Sequence, residues 1–154
     1  MSDFDLMATL HARYVRISKL LEAPPARVHR AWSDPEEMAT WFPRVVEGSL
    51  SEGTHSILTW HDRRIPIDVL ESDPPVTFRF RWTWPPPDDY STQVTVKLAP
   101  HGYGTRLTLV DGPFDLTIPG VLEAYEEALQ GWGETIASLR AQIDFSVDLR
   151  RERF

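Results

Sequence analysis

The fold of this chain is decided by the stretch FRFRWTW, residues 78–84, along which aromatic and polar side chains alternate. A period of two predicts a β-strand with one apolar face and one polar face. Each aromatic ring offers roughly 150–250 Å² of surface that something large has to cover. The apolar face of the C-terminal segment, centred on Trp132, is the obvious cover. We therefore expect a sheet that grips one long helix, with a cavity between them and with Arg79 and Arg81 facing solvent.

The middle of the chain reads as a series of strands separated by short turns. A first strand covers Tyr14–Leu21, and the gaps between the later strands are short enough to favour antiparallel hairpins. Pro66 cannot donate to a sheet ladder, which predicts an edge or bulge position for it. The later candidate strands are Arg44–Gly48, Thr54–His61, Arg64–Glu71, Val76–Trp84, Thr92–Ala99 and Thr105–Val110.

Two short helices are predicted between the first strand and the rest of the sheet. One begins at Pro24-Pro25, because proline fits the first helical turn, and ends near Trp32. Ser33 and Asp34 can cap the second, which runs to about Trp41.

A longer helix is predicted over Pro119–Ile143, with two stripes of side chains spaced by three and four residues. We expect the first, large stripe to be buried and the second, small stripe to line one flank of the cavity. The large stripe is Leu122, Tyr125, Leu129, Trp132, Ile136, Leu139 and Ile143. The small stripe is Ala124, Ala128, Gly131, Thr135 and Ser138.

Length and composition predict a single α+β domain over residues 1–154, with a core at about 12–143 and peripheral segments 1–11 and 145–154. The formal net charge of −7 and the scattered basic residues disfavour nucleic acid and anionic membranes as partners. Without cysteine, disulfides and thiol chemistry are excluded. No leader or membrane span is recognisable, so we expect a cytoplasmic protein, as a monomer or homodimer.

The sequence offers no catalytic or metal-binding motif, and we predict no cofactor. The five histidines lack metal-ligand spacing, and neither a serine nucleophile elbow nor a phosphate loop is present. His29 and His61 are best explained as structural or surface histidines. Asp68 alternates with Ile67 and Val69, so it should face solvent.

The aromatic surplus instead predicts a pocket for a small apolar or aromatic molecule. Thr135 or Tyr125 could fix the ligand's orientation through a hydrogen bond. The expected ligand-binding residues are Trp41, Phe80, Trp82, Trp84, Phe114, Tyr125, Gly131, Trp132, Thr135 and Ile136.

The order of elements resembles the helix-grip fold of the START-like superfamily, also called SRPBCC. Over residues 12–143 the motifs are similar to those of the homologues of the activator of the ninety-kilodalton heat-shock protein's ATPase. The motifs are Pro25–Trp32, Asp34-Pro35, Trp41-Phe42, Asp73-Pro74-Pro75, Gly104–Leu109 and Gly131-Trp132.

The resemblance implies a hydrophobic ligand cavity, and for most single-domain bacterial-type members no defined activity. It does not imply co-chaperone work, because the eukaryotic activator also uses a separate N-terminal domain for which this chain has no room. Two alternatives to ligand binding stay open. One is a cyclase or isomerase in which His61 or Asp68 moves protons in the same cavity, and the other is a chaperone-cofactor-like interaction module.

Overall fold

The computed structural model describes residues 10–85 and 89–150, and within them the elements follow the predicted order. The helices are α1 (Pro25–Ser33), α2 (Pro35–Met38) and α3 (Val121–Phe145). The strands are β1 (Ala12–Leu21), β2 (Val45–Gly48), β3 (His55–Thr59), β4 (Arg64–Asp73), β5 (Thr77–Trp84), β6 (Tyr90–His101) and β7 (Gly104–Asp115).

The described strands form one antiparallel sheet in the order β1-β7-β6-β5-β4-β3-β2. The sheet is open, with β1 and β2 at its edges. Helix α3 packs against β1 and β7, while α1 packs against β5, β6 and β7. The predicted α+β helix-grip fold is therefore confirmed. The predicted peripheral segments lie largely outside the described residues.

Strand β5 has the two faces that its alternation predicts. Phe78, Phe80 and Trp82 are buried, and Trp84 at the end of the strand is half-buried. On the other face Arg79 donates to Glu71 across 3.1 Å. The aromatic side of this strand forms the centre of the hydrophobic core.

The two short helices are held by local hydrogen bonds. The Asp34 carboxylate caps α2 by accepting from the backbone N–H of Glu36 at 2.9 Å. Ser33 does not cap this helix, because its hydroxyl donates to the carbonyl of His29 at 2.9 Å. Helix α2 ends at Met38, before the predicted end near Trp41, and the chain continues to Phe42 in hydrogen-bonded turns.

The buried face of α3 differs from the predicted large stripe. Leu122 and Leu129 were expected to be buried, but they are 47% and 42% exposed. At 100° per residue these two leucines lie at the edge of the large stripe farthest from the small stripe, and the helix is rotated so that this edge faces solvent. The buried face lies between the two predicted stripes and comprises Val121, Ala124, Trp132, Ile136, Ser138, Leu139 and Ala141.

Pro66 lies in an interior strand, contrary to the prediction of an edge or bulge. It pairs with Ile57 of β3, while the register between β4 and β5 starts only at Ile67 opposite Trp82. Its missing N–H therefore leaves the β4–β5 ladder intact. Within the described residues, no helix has the combined length and apolarity needed to cross a membrane.

Candidate functional site

A cleft of about 520 Å³ opens between the sheet and α3, and we call it the main cleft. Strands β5, β6 and β7 supply its floor and one wall, the turn between β3 and β4 supplies part of its mouth, and α3 supplies the opposite wall. Its lining residues are Phe42, Trp60, Asp62, Arg63, Trp82, Trp84, Tyr90, Asp111, Ala124, Glu127, Ala128, Gly131, Trp132, Glu134 and Thr135.

Aromatic rings in mutual contact make up much of the main cleft's lining. The ring of Trp82 lies 5.3 Å from that of Trp132 and 5.0 Å from that of Trp84, measured between centroids. Phe42 lies 5.4 Å from Trp132. These tilted and edge-on arrangements are the favourable geometries for aromatic pairs. The wall is therefore held in shape by ring packing before any ligand arrives.

A buried carboxyl group lies at the floor of the main cleft. The Thr92 hydroxyl donates to Oδ1 of Asp111 at 2.6 Å, and Nε1 of Trp132 donates to Oδ2 at 2.8 Å. Nε1 of Trp82 donates in turn to the Thr92 hydroxyl at 2.8 Å. Asp111 thus connects β7, β6, β5 and α3 at the point where they meet the main cleft.

Burial dominates the electrostatics of Asp111. The residue is 1% exposed, and this burial raises the pKa of its carboxyl from 3.8 to about 6, although the hydrogen bonds from Thr92, Trp132 and Trp82 act in the opposite direction. The carboxyl is therefore ionised at neutral pH but holds its proton more tightly than an exposed aspartate.

Charged side chains surround the mouth of the main cleft. Asp62 and Arg63 come from the turn between β3 and β4, and Glu127 and Glu134 come from α3. The guanidinium of Arg63 lies over the ring of Trp84, with its central carbon 5.4 Å from the ring centroid. We call Asp62, Glu127 and Glu134 the rim acids.

A smaller side pocket of about 280 Å³ adjoins the main cleft. The two share Phe42, Trp60, Asp62, Glu134 and Thr135 in their linings. The Ser138 hydroxyl closes the base of this region by donating to the carbonyl of Trp41 at 2.8 Å. The residues that line the side pocket alone are Trp41, Arg44, His61, Ser138, Leu149 and Arg150.

The residues predicted to bind ligand divide into two groups. Trp82, Trp84, Gly131, Trp132 and Thr135 line the main cleft, and Trp41 lines the side pocket. The others, which line neither space, are Phe80, Phe114, Tyr125 and Ile136. Of these four, Phe80, Phe114 and Ile136 are buried in the core, and Tyr125 packs against Phe114 with its ring centroid 5.6 Å away.

The small stripe of α3 meets the main cleft as expected. Ala124, Ala128, Gly131 and Thr135 all line it. A Cβ atom added to Gly131 would meet no atom within 4 Å, and the same is true of Gly133, which does not line the cleft. The space beside Gly131 is therefore open rather than packed.

The two residues that the enzyme alternative had named lie in different places. Asp68 is on the outer face of the sheet, where it contacts His55 and lies 3.7 Å from Arg81. This position confirms that Asp68 faces away from the cavity. His61 lines the side pocket. His29 is a structural histidine, buried with its Nε2 3.0 Å from the carbonyl oxygen of Thr77.

Sequence reasoning missed Asp111, although the signal was present. The predicted strand ended at Val110, and Asp111-Gly112 resembles a turn. Continuing the alternation of the buried Leu107 and Leu109 by one step would have placed Asp111 on the inner face. Among residues 10–85 and 89–150, no group of three or more His, Asp or Glu side chains could hold a metal ion.

Solved structures with the same fold are numerous, and the three described here are 12–23% identical to this chain, so they show the fold alone. MLL2253 from Mesorhizobium loti has 23% identity and a TM-score of 0.78, with 88% of this chain and 99% of that chain covered. The Aha1 dimer from Colwellia psychrerythraea has 12% identity and a TM-score of 0.75, with 86% and 97% covered.

DynU16, from the dynemicin biosynthetic locus, has 23% identity and a TM-score of 0.76, with 88% of this chain covered. The match spans about half of DynU16, 48% of its length. Among curated proteins, none matches this sequence.

A family model matches most of the core. The model described as "Activator of Hsp90 ATPase homolog 1-like protein" covers residues 22–144, from the end of β1 to the last turn of α3. This range includes the early proline and tryptophan motifs, the aromatic strand and Gly131-Trp132. The chain therefore belongs to the family of Activator of Hsp90 ATPase homolog 1-like proteins.

Proposed function

We propose that this domain reversibly binds a small aromatic or apolar molecule in the main cleft. The observation that carries the proposal is a cleft of about 520 Å³ with six aromatic side chains in its lining and one buried carboxyl group at its floor. Ligand pockets are typically about 300–1,000 Å³, mostly apolar, with a few convergent polar groups. The main cleft has each of these properties.

Apolar burial supplies the driving force for binding. Removing about 300 Å² of apolar surface from water, counted over ligand and cleft, contributes about 7.5 kcal/mol at 25 cal/mol/Å². Loss of ligand translation and rotation reduces this gain. A two-ring aromatic ligand is therefore expected to bind no more tightly than roughly micromolar.

Polar groups in the cleft would fix the ligand's orientation. Thr135, one of the two residues predicted for this role, lines the main cleft. Tyr125, the other, packs on Phe114 instead, so we assign it no direct contact with ligand. Asp111 takes its place as a candidate hydrogen-bond acceptor.

The proposal is tested by titrating the protein with 1-naphthalenemethanol and following binding by calorimetry. Trp84→Ala removes a half-buried ring of the cleft wall, and we expect it to weaken binding about tenfold, which is about 1.4 kcal/mol. The matched control is Tyr103→Ala, because Tyr103 is a fully exposed aromatic residue on the turn between β6 and β7. No measurable binding by the folded wild type, or equal effects of both substitutions, would overturn the proposal.

A second candidate, an enzyme of the cyclase or isomerase type, is favoured by Asp111. A carboxyl whose pKa is raised to about 6 is suited to proton transfer near neutral pH. Asp68 is excluded from this role by its position on the outer face, and His61 reaches only the side pocket. If native mass spectrometry finds a molecule retained by the protein, that molecule can be incubated separately with wild type and with Asp111→Asn. A change in the mass spectrum of the molecule with the wild type alone would support the enzyme.

Three further assignments belong to the proposal. We expect a cytoplasmic protein, a monomer or homodimer in light scattering, and no stimulation of a purified ninety-kilodalton heat-shock protein's ATPase. We expect no stimulation of the ATPase because the proposed site faces inward, between the sheet and the helix. Stimulation by the isolated domain would favour the chaperone-cofactor alternative.

A further inference from the structure

The buried carboxyl at the floor of the main cleft has neutral hydrogen-bond donors but no cationic partner. Thr92 and Trp132 each donate one hydrogen bond to it. Among the residues that the structure describes, no arginine, lysine or histidine pairs with Asp111. A carboxylate can accept about four hydrogen bonds, so these two donors leave Asp111, which lines the cleft, with capacity for another.

A buried charge without a partner is costly, because desolvation disfavours the ionised form. Such a cost is recovered when a cation arrives in the same water-poor space. A neutral ligand offers no such compensation, and an anionic ligand would add repulsion. The floor of the main cleft therefore discriminates between ligands by the sign of their charge.

The mouth of the main cleft favours the same sign. The whole cleft lining contains four carboxylates, which are those of the three rim acids at the mouth and of Asp111 at the floor. The same lining contains one guanidinium, that of Arg63. Arg63 lies over the face of Trp84, so one aromatic face at the mouth already holds a cation. A cleft lined by charges of one sign concentrates ligands of the opposite sign.

We propose that the main cleft selects aryl-alkyl ammonium ligands, with the charged nitrogen paired to Asp111 and the aromatic ring packed against the wall that Trp82, Trp84 and Trp132 form. This inference rests on the proposed function and names the chemical class of its ligand. It assigns Asp111 as the specificity-determining residue and gives the rim acids a role in attracting the cation.

The experiment compares three probes that share one ring system, by calorimetry at about pH 7.5. They are 1-naphthylmethylammonium, neutral 1-naphthalenemethanol and anionic 1-naphthoate. With wild-type protein we expect the ammonium to bind at least tenfold more tightly than the alcohol, and the naphthoate to bind most weakly. This comparison needs no variant, so it stands whether or not substitutions at the floor fold.

Single-residue variants then show which residue produces the preference for the ammonium over the alcohol. Asp111→Asn should reduce the preference for ammonium over alcohol to within threefold, because the amide keeps the shape but not the charge. Glu123→Gln is the control, since Glu123 lies on α3 outside the lining and its loss changes the net charge equally. It should leave the preference within twofold of wild type.

The outcomes separate the inference from the function on which it rests. If the alcohol binds as tightly as the ammonium, the inference is wrong and the proposed function stands. If no probe binds, both fail. If Asp111→Asn keeps the preference while the double variant Glu127→Gln/Glu134→Gln loses it, the rim acids bind the cation and the assignment to Asp111 is overturned.

Discussion

Replacing Asp111 by Asn is expected to change how stability depends on pH, and the direction follows from burial. The folded state raises the pKa of Asp111 to about 6, whereas an unfolded chain leaves it near 3.8. The folded protein therefore binds this proton more tightly than the unfolded chain does. The stability from protonated Asp111 is fully present below the unfolded pKa and is lost as the pH rises through 6.

The size of the effect follows from the two pKa values. A difference of about 2 units at about 1.4 kcal/mol per unit amounts to about 3 kcal/mol over the full range. Between about pH 4.5 and 7.5 the accessible part is about 2 kcal/mol. Asn cannot ionise, yet its amide oxygen can still accept from Trp132. The stability of Asp111→Asn relative to wild type should therefore rise by about 2 kcal/mol over that interval.

Urea unfolding of both proteins at several pH values measures this difference. The other titratable and charged groups that line the cleft with Asp111 are present in both proteins, so their contributions to the pH dependence cancel. Those groups are Asp62, Arg63, Tyr90, Glu127 and Glu134. Asp115→Asn is a control of opposite sign, because hydrogen bonds from Thr117 lower the pKa of Asp115. Its native carboxylate contributes stability at neutral pH that is lost on acidification. Parallel pH profiles for wild type and Asp111→Asn would show that folding does not raise the pKa of Asp111.

Three other outcomes are expected. Asp68→Ala should leave naphthalenemethanol affinity within twofold in calorimetry, because Asp68 lies on the outer face; a tenfold loss would mean that the ligand binds elsewhere. His61→Ala should change that affinity by less than threefold in the same assay, since His61 lines only the side pocket, and a larger loss would favour the enzyme alternative. Gly131→Ala should raise the free energy of unfolding by about 0.5–1 kcal/mol, because alanine is the better helix former and its Cβ meets open space; a lower value in urea unfolding would show hidden packing.

The sequence predicted the sheet well where alternation was strong. In β5, aromatic and polar residues differ so much in polarity that only one face could be buried, and the structure agrees at every position from Phe78 to Trp82. Local patterns of this kind depend on neighbours along the chain, so one sequence is sufficient to identify them. The same pattern continued into β7, where the turn-like pair Asp111-Gly112 concealed one more inward residue.

The orientation of α3 was harder to predict because it depends on what the sheet already contains. Leu122 and Leu129 have the right spacing for a buried stripe, but they lie at its edge away from the small stripe, and the structure turns that edge toward solvent. Periodicity shows that a helix has distinct faces. It does not show how the helix is rotated about its axis against the sheet, and that rotation decides which face is buried.

The most direct test of a ligand site between sheet and helix compares leucine at two glycines of α3. Gly131 lines the main cleft and Gly133 does not, while both have open space where a side chain would begin. Replacing either glycine removes a helix penalty of about 1 kcal/mol, so neither variant should melt below wild type.

In naphthalenemethanol titrations of the two variants, Gly131→Leu should fill the cleft and weaken binding at least tenfold, whereas Gly133→Leu should bind within twofold of wild type. Wild-type affinity in Gly131→Leu, or a clear fall in its melting temperature without ligand, would contradict a binding cleft at this position.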